Sequence, residues 1–274
     1  MSIPKIIHQL WIGDKPMPSV LMDKVKSDNE DCKYIKWNEE LIKSKLKINK
    51  KYQQKIDLME EINGKADMYR WLILYEYGGV FMDADNVSIQ PLDDFLFNKS
   101  FVGYENEKTR GELLACGTMG FSKEHIIPEY AINHILNNRI VSPAWKSVGN
   151  MLLTQIYQQL QNKDIMNIYP SYYFLPEHYT GEKYKGHGKV YTTHYWGSTL
   201  NMYEIKLDKS LQIPNKYIEI EIPNVEKKEL KEILNGIKSM EGHFIIRIIC
   251  QYDIDKFLKN TRFIIKKYNI IYYI

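Results

Sequence analysis

Cysteine is scarce: Cys32, Cys116 and Cys250 are the only three in 274 residues, an odd number at wide, irregular spacing. That gives neither a disulfide framework nor a zinc pattern, and a reducing compartment is the simpler expectation. Long apolar runs are missing too. No stretch approaches the ~20 residues of a membrane span, and Met1 to Leu10 is too short and too polar for a signal segment. The chain therefore reads as soluble and cytoplasmic with no transmembrane segment, peripheral association with a membrane staying open. Neither sign of charge dominates, since 37 Lys and Arg face 34 Asp and Glu for a net charge of +3. That is too mild to imply nucleic acid or an anionic membrane as partner. Repeats and low-complexity segments are absent as well.

What is present is apolar material for one substantial core, 44% hydrophobic against 26% charged. "IPKIIHQLWIG" (Ile3 to Gly13) is rich in β-branched residues and closes on Gly-Asp-Lys-Pro, so it reads as a first central strand running into a turn. Met17 to Lys26 and Glu39 to Leu46 read as short helices around a second strand near Tyr34 to Trp37. The clearest helix runs from Asn63 to Tyr77, with Asn63 as its cap and Gly78-Gly79 as its stop. On it Asp67, Arg70, Trp71 and Leu74 share one side, so a charged pair borders an apolar stripe. Ser100 to Asn106 and Ala115 to His125 read as strands with turns, Pro128 to Asn137 and Ala144 to Leu160 as helices, and Val190 to Leu200 as a strand entering a loop. From Asn201 the character changes to strand, helix, strand, helix, strand with no evident site. We expect a main α/β domain over residues 1–200 and a small α/β extension over 201–274.

Straight after the glycine pair, "VFMDADNV" (Val80 to Val87) carries two acids out of an apolar strand. Residues i and i+2 of an extended chain point the same way, so Asp83 and Asp85 project together past its end. Two adjacent carboxylates suit a hard divalent cation such as Mn²⁺ or Mg²⁺, which keeps positions open for a diphosphate and offsets its charge as it leaves. A bare Asp-x-Asp triplet is common by chance. Asp253-Ile-Asp255 is an internal control, because it too follows an apolar strand and nothing near it supports a site. Around Asp83 and Asp85 the order is different: a helix bearing Asp67 and Arg70, a glycine pair, a buried strand, then the acids.

Each remaining candidate has a bland alternative. Trp11 could be core, although Gly13 and the turn place it at a strand's end rather than inside the sheet. Arg70 could pair with Asp67 or Glu76 on a solvated face, but Trp71 and Ile73 argue for partial burial, where an unpaired guanidinium would be costly. His194 is either structural or a metal ligand; beside it, Trp196-Gly197-Ser198 could let backbone amides approach phosphate oxygens. His8 reads as a satisfied core residue. The charged stretch Glu105 to Arg110 could be a surface loop with no role, and the sequence does not decide.

"KADMYRWLILYEYGGVFMDADNVSIQPLDDF" resembles the signature of the DXD-containing sugar transferases of glycosyltransferase family 32, and is also similar to the catalytic core of the large clostridial glucosylating toxins. "IPKIIHQLWIG" resembles the family's opening strand, "SVGNMLLT" a later block, and "THYWGSTL" its closing segment, so the resemblance spans residues 3 to 200. It implies a GT-A fold, a mixed central sheet flanked by helices, and sugar transfer with retention at the anomeric carbon. By carry-over, Trp11 would stack on the donor base, Asp67 and Arg70 would contact the donor sugar, Asp83 would touch ribose or sugar and reach the metal through water, and Asp85 would bind the metal. His194 would complete the metal or diphosphate site and Ser198 would hold the diphosphate. The chain departs from the pattern where Phe81 replaces a common tyrosine, where Asn150 replaces a proline, and where Thr199 and Leu200 follow Ser198 in place of tryptophan.

The expectation is a metal-dependent, retaining hexosyltransferase with catalytic residues Asp83, Asp85 and Arg70. It would move a sugar from a nucleotide-diphosphate donor, a UDP-sugar favoured and GDP-mannose possible, to a glycan, lipid-linked sugar or protein hydroxyl. Two rivals stand beside it: a glycoside hydrolase using Asp83 and Asp85 as acid and nucleophile, and a non-catalytic module binding a glycan or a partner protein, its acids holding Ca²⁺.

Overall fold

The structure, a computed structural model, describes residues 2–197 and 199, and beyond them the backbone of three strands at 218–222, 244–248 and 271–273. The chain divides into two compact units, Met1–Leu207 and Asp208–Ile274. In the first, the elements run β1 (Ile6–Leu10), α1 (Ser19–Asp28), β2 (Lys33–Trp37), α2 (Glu39–Lys45), α3 (Lys50–Asp57), α4 (Ile62–Tyr77), β3 (Gly79–Met82), β4 (Asn86–Ser88), β5 (Phe101–Tyr104), β6 (Leu114–Phe121), α5 (Ile126–Asn137), α6 (Trp145–Val148), α7 (Asn150–Gln159), β7 (Asn167–Tyr169) and β8 (Thr192–His194). The second unit holds β9 (Ile218–Ile222), β10 (Phe244–Ile248) and β11 (Ile271–Tyr273) as a parallel sheet in the order β11-β10-β9. Parallel neighbours need crossovers of roughly a dozen residues or more. The helices expected between these strands lie outside the described residues.

The main sheet has the order β2-β1-β3-β6-β5-β7. β1 is parallel to β2 and β3, β6 is antiparallel to β3 and β5, and β7 is parallel to β5. This is the mixed sheet flanked by helices that the sequence led us to expect. Every residue of β3 is buried. Phe81 packs with Trp71 and Leu74 of α4 in the larger core, while Val80 and Met82 join Val25 of α1, Leu96 and Phe101 in a smaller one. A strand covered on both faces reads as an unbroken apolar run, so the first acid after Met82 marks the edge of the sheet.

The turn into β3 depends on its glycines. Gly78 has φ +63° and Gly79 φ +100°, and a Cβ on Gly79 would lie 2.6 Å from the Ile6 carbonyl oxygen; only a residue without Cβ fits. His8 fastens the same corner: its Nε2 donates to the Gly78 carbonyl at 2.8 Å, and its Nδ1 accepts the Trp37 indole N–H at 3.0 Å. Burial lowers its pKa to about 4, which makes it the satisfied, neutral core histidine read from the sequence.

Several boundaries differ from expectation. α4 begins at Ile62, and its preceding residue is Glu61 rather than Asn63; the Glu61 carboxylate accepts the Ala144 backbone N–H. The helix expected over Ala144 to Leu160 is two, α6 and α7, broken at Gly149. A Cβ there would come within 2.7 Å of Asp67 Oδ2, so the break makes room for a buried carboxylate. α3 left no periodic signal because Ile56 is its one buried residue; its Asn49 cap accepts the Tyr52 N–H at 2.9 Å. Among the described residues no helix is long and apolar enough to cross a membrane.

Candidate functional site

From β1 the chain passes through α1 to β2 on one side, then through α2, α3 and α4 to β3 on the other. Loops leaving the carboxyl ends of β1 and β3 therefore part, and the crevice between them is where open α/β sheets take ligands. A cavity of about 940 Å³ occupies it, near the upper end of the range for ligand pockets. Trp11 and the turn Gly13 to Pro16 line it from β1, Asp83 to Asp85 from β3, and Asp67 and Arg70 from α4.

The two acids are held by bonds to their main chain and side chains. Asp83 N–H donates to the Gly117 carbonyl at 2.7 Å, and the Asp83 carbonyl accepts Gln9 Nε2 at 2.9 Å and Asn86 N–H at 3.0 Å. Gly117 meets Asp83 by continuing the antiparallel register of β3 on β6, one pair past Met82–Thr118, while on its other side β6 bulges against β5: Val102 pairs with Met119 but Gly103 pairs with Ala115. That throws Cys116, Gly117 and Thr118 out of register with β5 and re-aims the strand, as bulges near sites do. Thr118 Oγ1 accepts Asn86 Nδ2 at 2.6 Å. A Cβ on Gly117 would lie 3.1 Å from Asp83 Oδ2, so a glycine keeps the carboxylate uncrowded.

Asp85 Oδ2 accepts the Gly197 N–H at 3.0 Å, and its carbonyl accepts the Tyr195 N–H at 3.0 Å. β8 lies antiparallel on β4, which brings His194 opposite Asn86. Its Nε2 lies 3.3 Å from Asp83 Oδ2 and 3.1 Å from Asp85 Oδ1. One atom each of Asp83, Asp85 and His194 fall within 4.8 Å of one another. Such a set fits a small divalent cation by spacing and by hard oxygen chemistry.

Arg70 is the hub beneath them. Its Nη1 pairs with Asp67 Oδ1 at 2.7 Å and its Nη2 with Asp83 Oδ1 at 2.5 Å, and its guanidinium lies 4.9 Å from the centre of the Phe81 ring. Phe81 thus supplies a face for the cation where a tyrosine would have added a hydroxyl. Glu76, the other pairing open to Arg70 from the sequence, instead accepts the Lys47 N–H. Three carboxylates and one guanidinium leave two negative charges in excess when His194 is neutral, as a metal ligand must be, and that is the amount a divalent ion cancels.

Burial raises the Asp67 pKa to about 6, with Arg70 opposing that rise and Asp83 and Glu61 adding to it. Arg70 itself moves up: burial opposes, and Asp83 and Asp67 outweigh it. The two shifts disagree about whether the pair compensates its burial. We hold to the charged pair, because a guanidinium keeps its proton in a protein and Asp67 is ionised above about pH 6. For His194 burial lowers the pKa, but Asp85 and Asp83 raise it to about 10 in the cation-free site. Trp196 N–H donates to His194 Nδ1 at 3.0 Å, which opposes a proton on that nitrogen. The two influences disagree over the charge of the ring; we hold to the charged ring, because two carboxylates face Nε2, and in either state the hydrogen on Nε2 points at them.

Of the residues singled out in the sequence, Trp11, Asp67, Arg70, Asp83, Asp85 and His194 all line this one cavity. The Trp11 indole N–H donates to the Lys15 carbonyl at 2.9 Å, which folds the turn back on the ring. Ser198 lies outside the described residues. Sequence reasoning missed a buried cluster on the same cavity. Glu105 accepts Asn150 Nδ2 at 2.6 Å through Oε2, while its Oε1 lies 3.2 Å from His178 Nε2 and 3.0 Å from Arg110 Nε. These partners are tens of positions apart, and only the departure at Asn150, which stands where the family pattern has proline, touched the cluster.

Against known proteins, residues 19–102 match the family model described as a glycosyltransferase sugar-binding region containing the DXD motif. That match bears out the resemblance to DXD sugar transferases. Among curated relatives, inositol phosphoceramide mannosyltransferase 1 of Schizosaccharomyces pombe is 33% identical over 120 residues, 39% of this chain and 37% of that protein. An uncharacterized glycosyltransferase of Acanthamoeba polyphaga mimivirus is 31% identical over 162 residues, 55% of this chain and 62% of that protein. The chain spans between about a third and under two thirds of the length of these relatives. Among solved structures, the PaToxG glycosyltransferase is similar at a TM-score of 0.49 with 18% identity, covering 58% of this chain and 70% of that one.

Proposed function

We propose, from the premise that residues 19–102 carry the DXD sugar-binding region of glycosyltransferases, that this chain is a metal-dependent, retaining hexosyltransferase of GT-A fold. It takes a nucleotide-diphosphate sugar and transfers the sugar to a hydroxyl of a glycan, lipid-linked sugar or protein. The observation that carries the reading is the convergence of Asp83, Asp85 and His194 within 4.8 Å at the crevice between β1 and β3. Both acids face one imidazole nitrogen from the same side, an arrangement for gripping a point charge rather than for flanking a glycosidic bond as a hydrolase pair does.

In this reading Trp11 stacks on the base, and Asp67 and Asp83, fixed by Arg70, accept hydrogen bonds from hydroxyls of the donor sugar or ribose. Arg70 acts by holding those carboxylates, since both its terminal nitrogens are engaged. Asp85, with Asp83 and His194, holds Mn²⁺ or Mg²⁺, and Ser198 meets the diphosphate. A cation there would offset the charge growing on the departing diphosphate. The acceptor hydroxyl attacks the face the diphosphate vacates and gives its proton to the leaving phosphate oxygen. UDP-sugars are the favoured donors, and relatives named as mannosyltransferases put GDP-mannose beside them. A reducing, cytoplasmic setting accords with the free buried thiols of Cys32 and Cys116.

Screening UDP-glucose, UDP-galactose, UDP-N-acetylglucosamine and GDP-mannose by thermal shift should raise the melting temperature with one of them, and only when Mn²⁺ is present. No shift with any of the four would reject the proposal, and an inverted anomer in the product NMR spectrum would reject retention. As a ligand through Nε2, His194 must pass from the charged ring that Asp85 and Asp83 favour against burial to the neutral ring, losing the proton on Nε2. Mn²⁺ binding near pH 7.5 should then release about one proton, read by calorimetry in buffers of differing ionisation enthalpy. His194→Gln should release none; equal release by both proteins would exclude the ring as ligand.

A further inference from the structure

The part of the cavity beyond the two acids carries polar groups that the proposed reaction has not used. Along the carboxyl edge of the sheet the neighbours are β1, β3, β6 and β5, so Trp11, Asp83, Gly117 and Glu105 follow in that order. Glu105 lies two strands past Asp83 on the side away from Trp11. At the usual strand spacing that is roughly 10 Å, room for a donor sugar between them.

Glu105 is 5% exposed and still lines the cavity. Asn150 takes one lone pair of Oε2, and His178 and Arg110 crowd Oε1. The Arg110 contact is an ion pair without a hydrogen bond, because its Nε hydrogen points aside and finds no partner. A carboxylate offers about four lone-pair directions, so Oε2 keeps one for a ligand. A solvent-facing loop has no use for an acid framed from three sides; a site that must accept O–H hydrogen bonds in fixed directions does. An indole stands on either hand. The Arg110 guanidinium lies 5.3 Å from the Trp145 ring centre, the Trp196 ring meets His178 edge-on at 5.3 Å, and both tryptophans line the cavity. Flat apolar rings beside an aimed carboxylate match the C–H faces and hydroxyl edges of a saturated six-membered polyol.

We propose that Glu105, framed by Asn150, His178 and Arg110, recognises the acceptor, and that the acceptor is a polyhydroxylated ring, a sugar or cyclitol, rather than a peptide hydroxyl. This inference rests on the transfer reaction proposed above. Its test uses the full chain with Mn²⁺ and the donor giving the largest thermal shift. Methyl α-D-mannopyranoside, methyl β-D-galactopyranoside and myo-inositol serve as probes against a Ser/Thr peptide. At least one ring probe should give a saturation-transfer NMR signal and accelerate nucleotide release, and the peptide should do neither. Glu105→Gln should raise the KM for that probe about tenfold or more, the weight of a hydrogen bond to a charged group, while the Mn²⁺-dependent nucleotide shift stays. Should that variant not fold, Trp145→Ala should weaken the same probe. Preference for the peptide, no ring binding, an unchanged KM, or joint loss of the nucleotide shift would overturn the assignment. Ring binding lost in Glu105→Gln, in a wild-type protein with no nucleotide shift and no transfer, would keep the polyol subsite and remove the transferase reading.

Discussion

Arg70→Ala should destabilise the protein by about 3–5 kcal/mol, the cost of removing one partner from a buried ion pair. In a unit of this size that corresponds to a fall in melting temperature of roughly 10 °C. The physical reason is that one guanidinium serves two carboxylates, Asp67 at 2.7 Å and Asp83 at 2.5 Å. Without it Asp67, already pushed up to about 6 by burial, faces Asp83 with nothing between them. Arg70→Lys should recover little, because a single ammonium cannot fork to both acids. Pairing Arg70→Ala with Asp67→Asn should restore part of the loss, since the double variant buries one charge fewer. Chemical denaturation in EDTA reads all of these without interference from bound metal. Additive losses in the double variant would show that the two residues do not act as one unit.

Asp85→Ala should abolish the thermal shift given by Mn²⁺ with the preferred nucleotide, an effect of about 2.7 kcal/mol at a ligand concentration a hundred times Kd. Transfer should fall by on the order of a hundredfold or more, as when a group stabilising transition-state charge is removed. Asp255→Ala, in the other acidic triplet, should keep both. Asp255 lies outside the described residues, so it is chosen as a control on its sequence pattern alone. Behaviour shared by the two variants would leave no ground for placing the cation at the first triplet.

Much of the architecture was legible because it is written locally. An apolar run, a glycine pair and acids at i, i+2 fix β3 and what projects from its end, whatever the rest of the chain does. Asp67 and Arg70 were readable as one helix face for the same reason. What could not be read was whatever depends on distant segments. His194 meets Asp83 across 111 positions and Glu105 meets His178 across 73, and no periodicity encodes such a meeting. The split between α6 and α7 escaped for a related reason: a single glycine is tolerated within a helical pattern, and what requires it at Gly149 is Asp67 from another helix, which occupies the space a Cβ would need. The bulge in β6 likewise follows from pairing with two strands at once.

The bond from the Gly197 amide to Asp85 Oδ2, spanning 112 positions, sets an order on biosynthesis. When Asp83 and Asp85 leave the ribosome, their imidazole and amide partners have yet to be translated, and at 5–20 residues per second they follow only after roughly 6–20 s. Through that interval Arg70 is the one charged partner already made for Asp83, and Asp85 lacks both the imidazole and the amide that hold it in the finished unit. The cluster of Asp83, Asp85 and His194 can form only once β8 folds back onto β4, which makes it among the last features of this unit to mature.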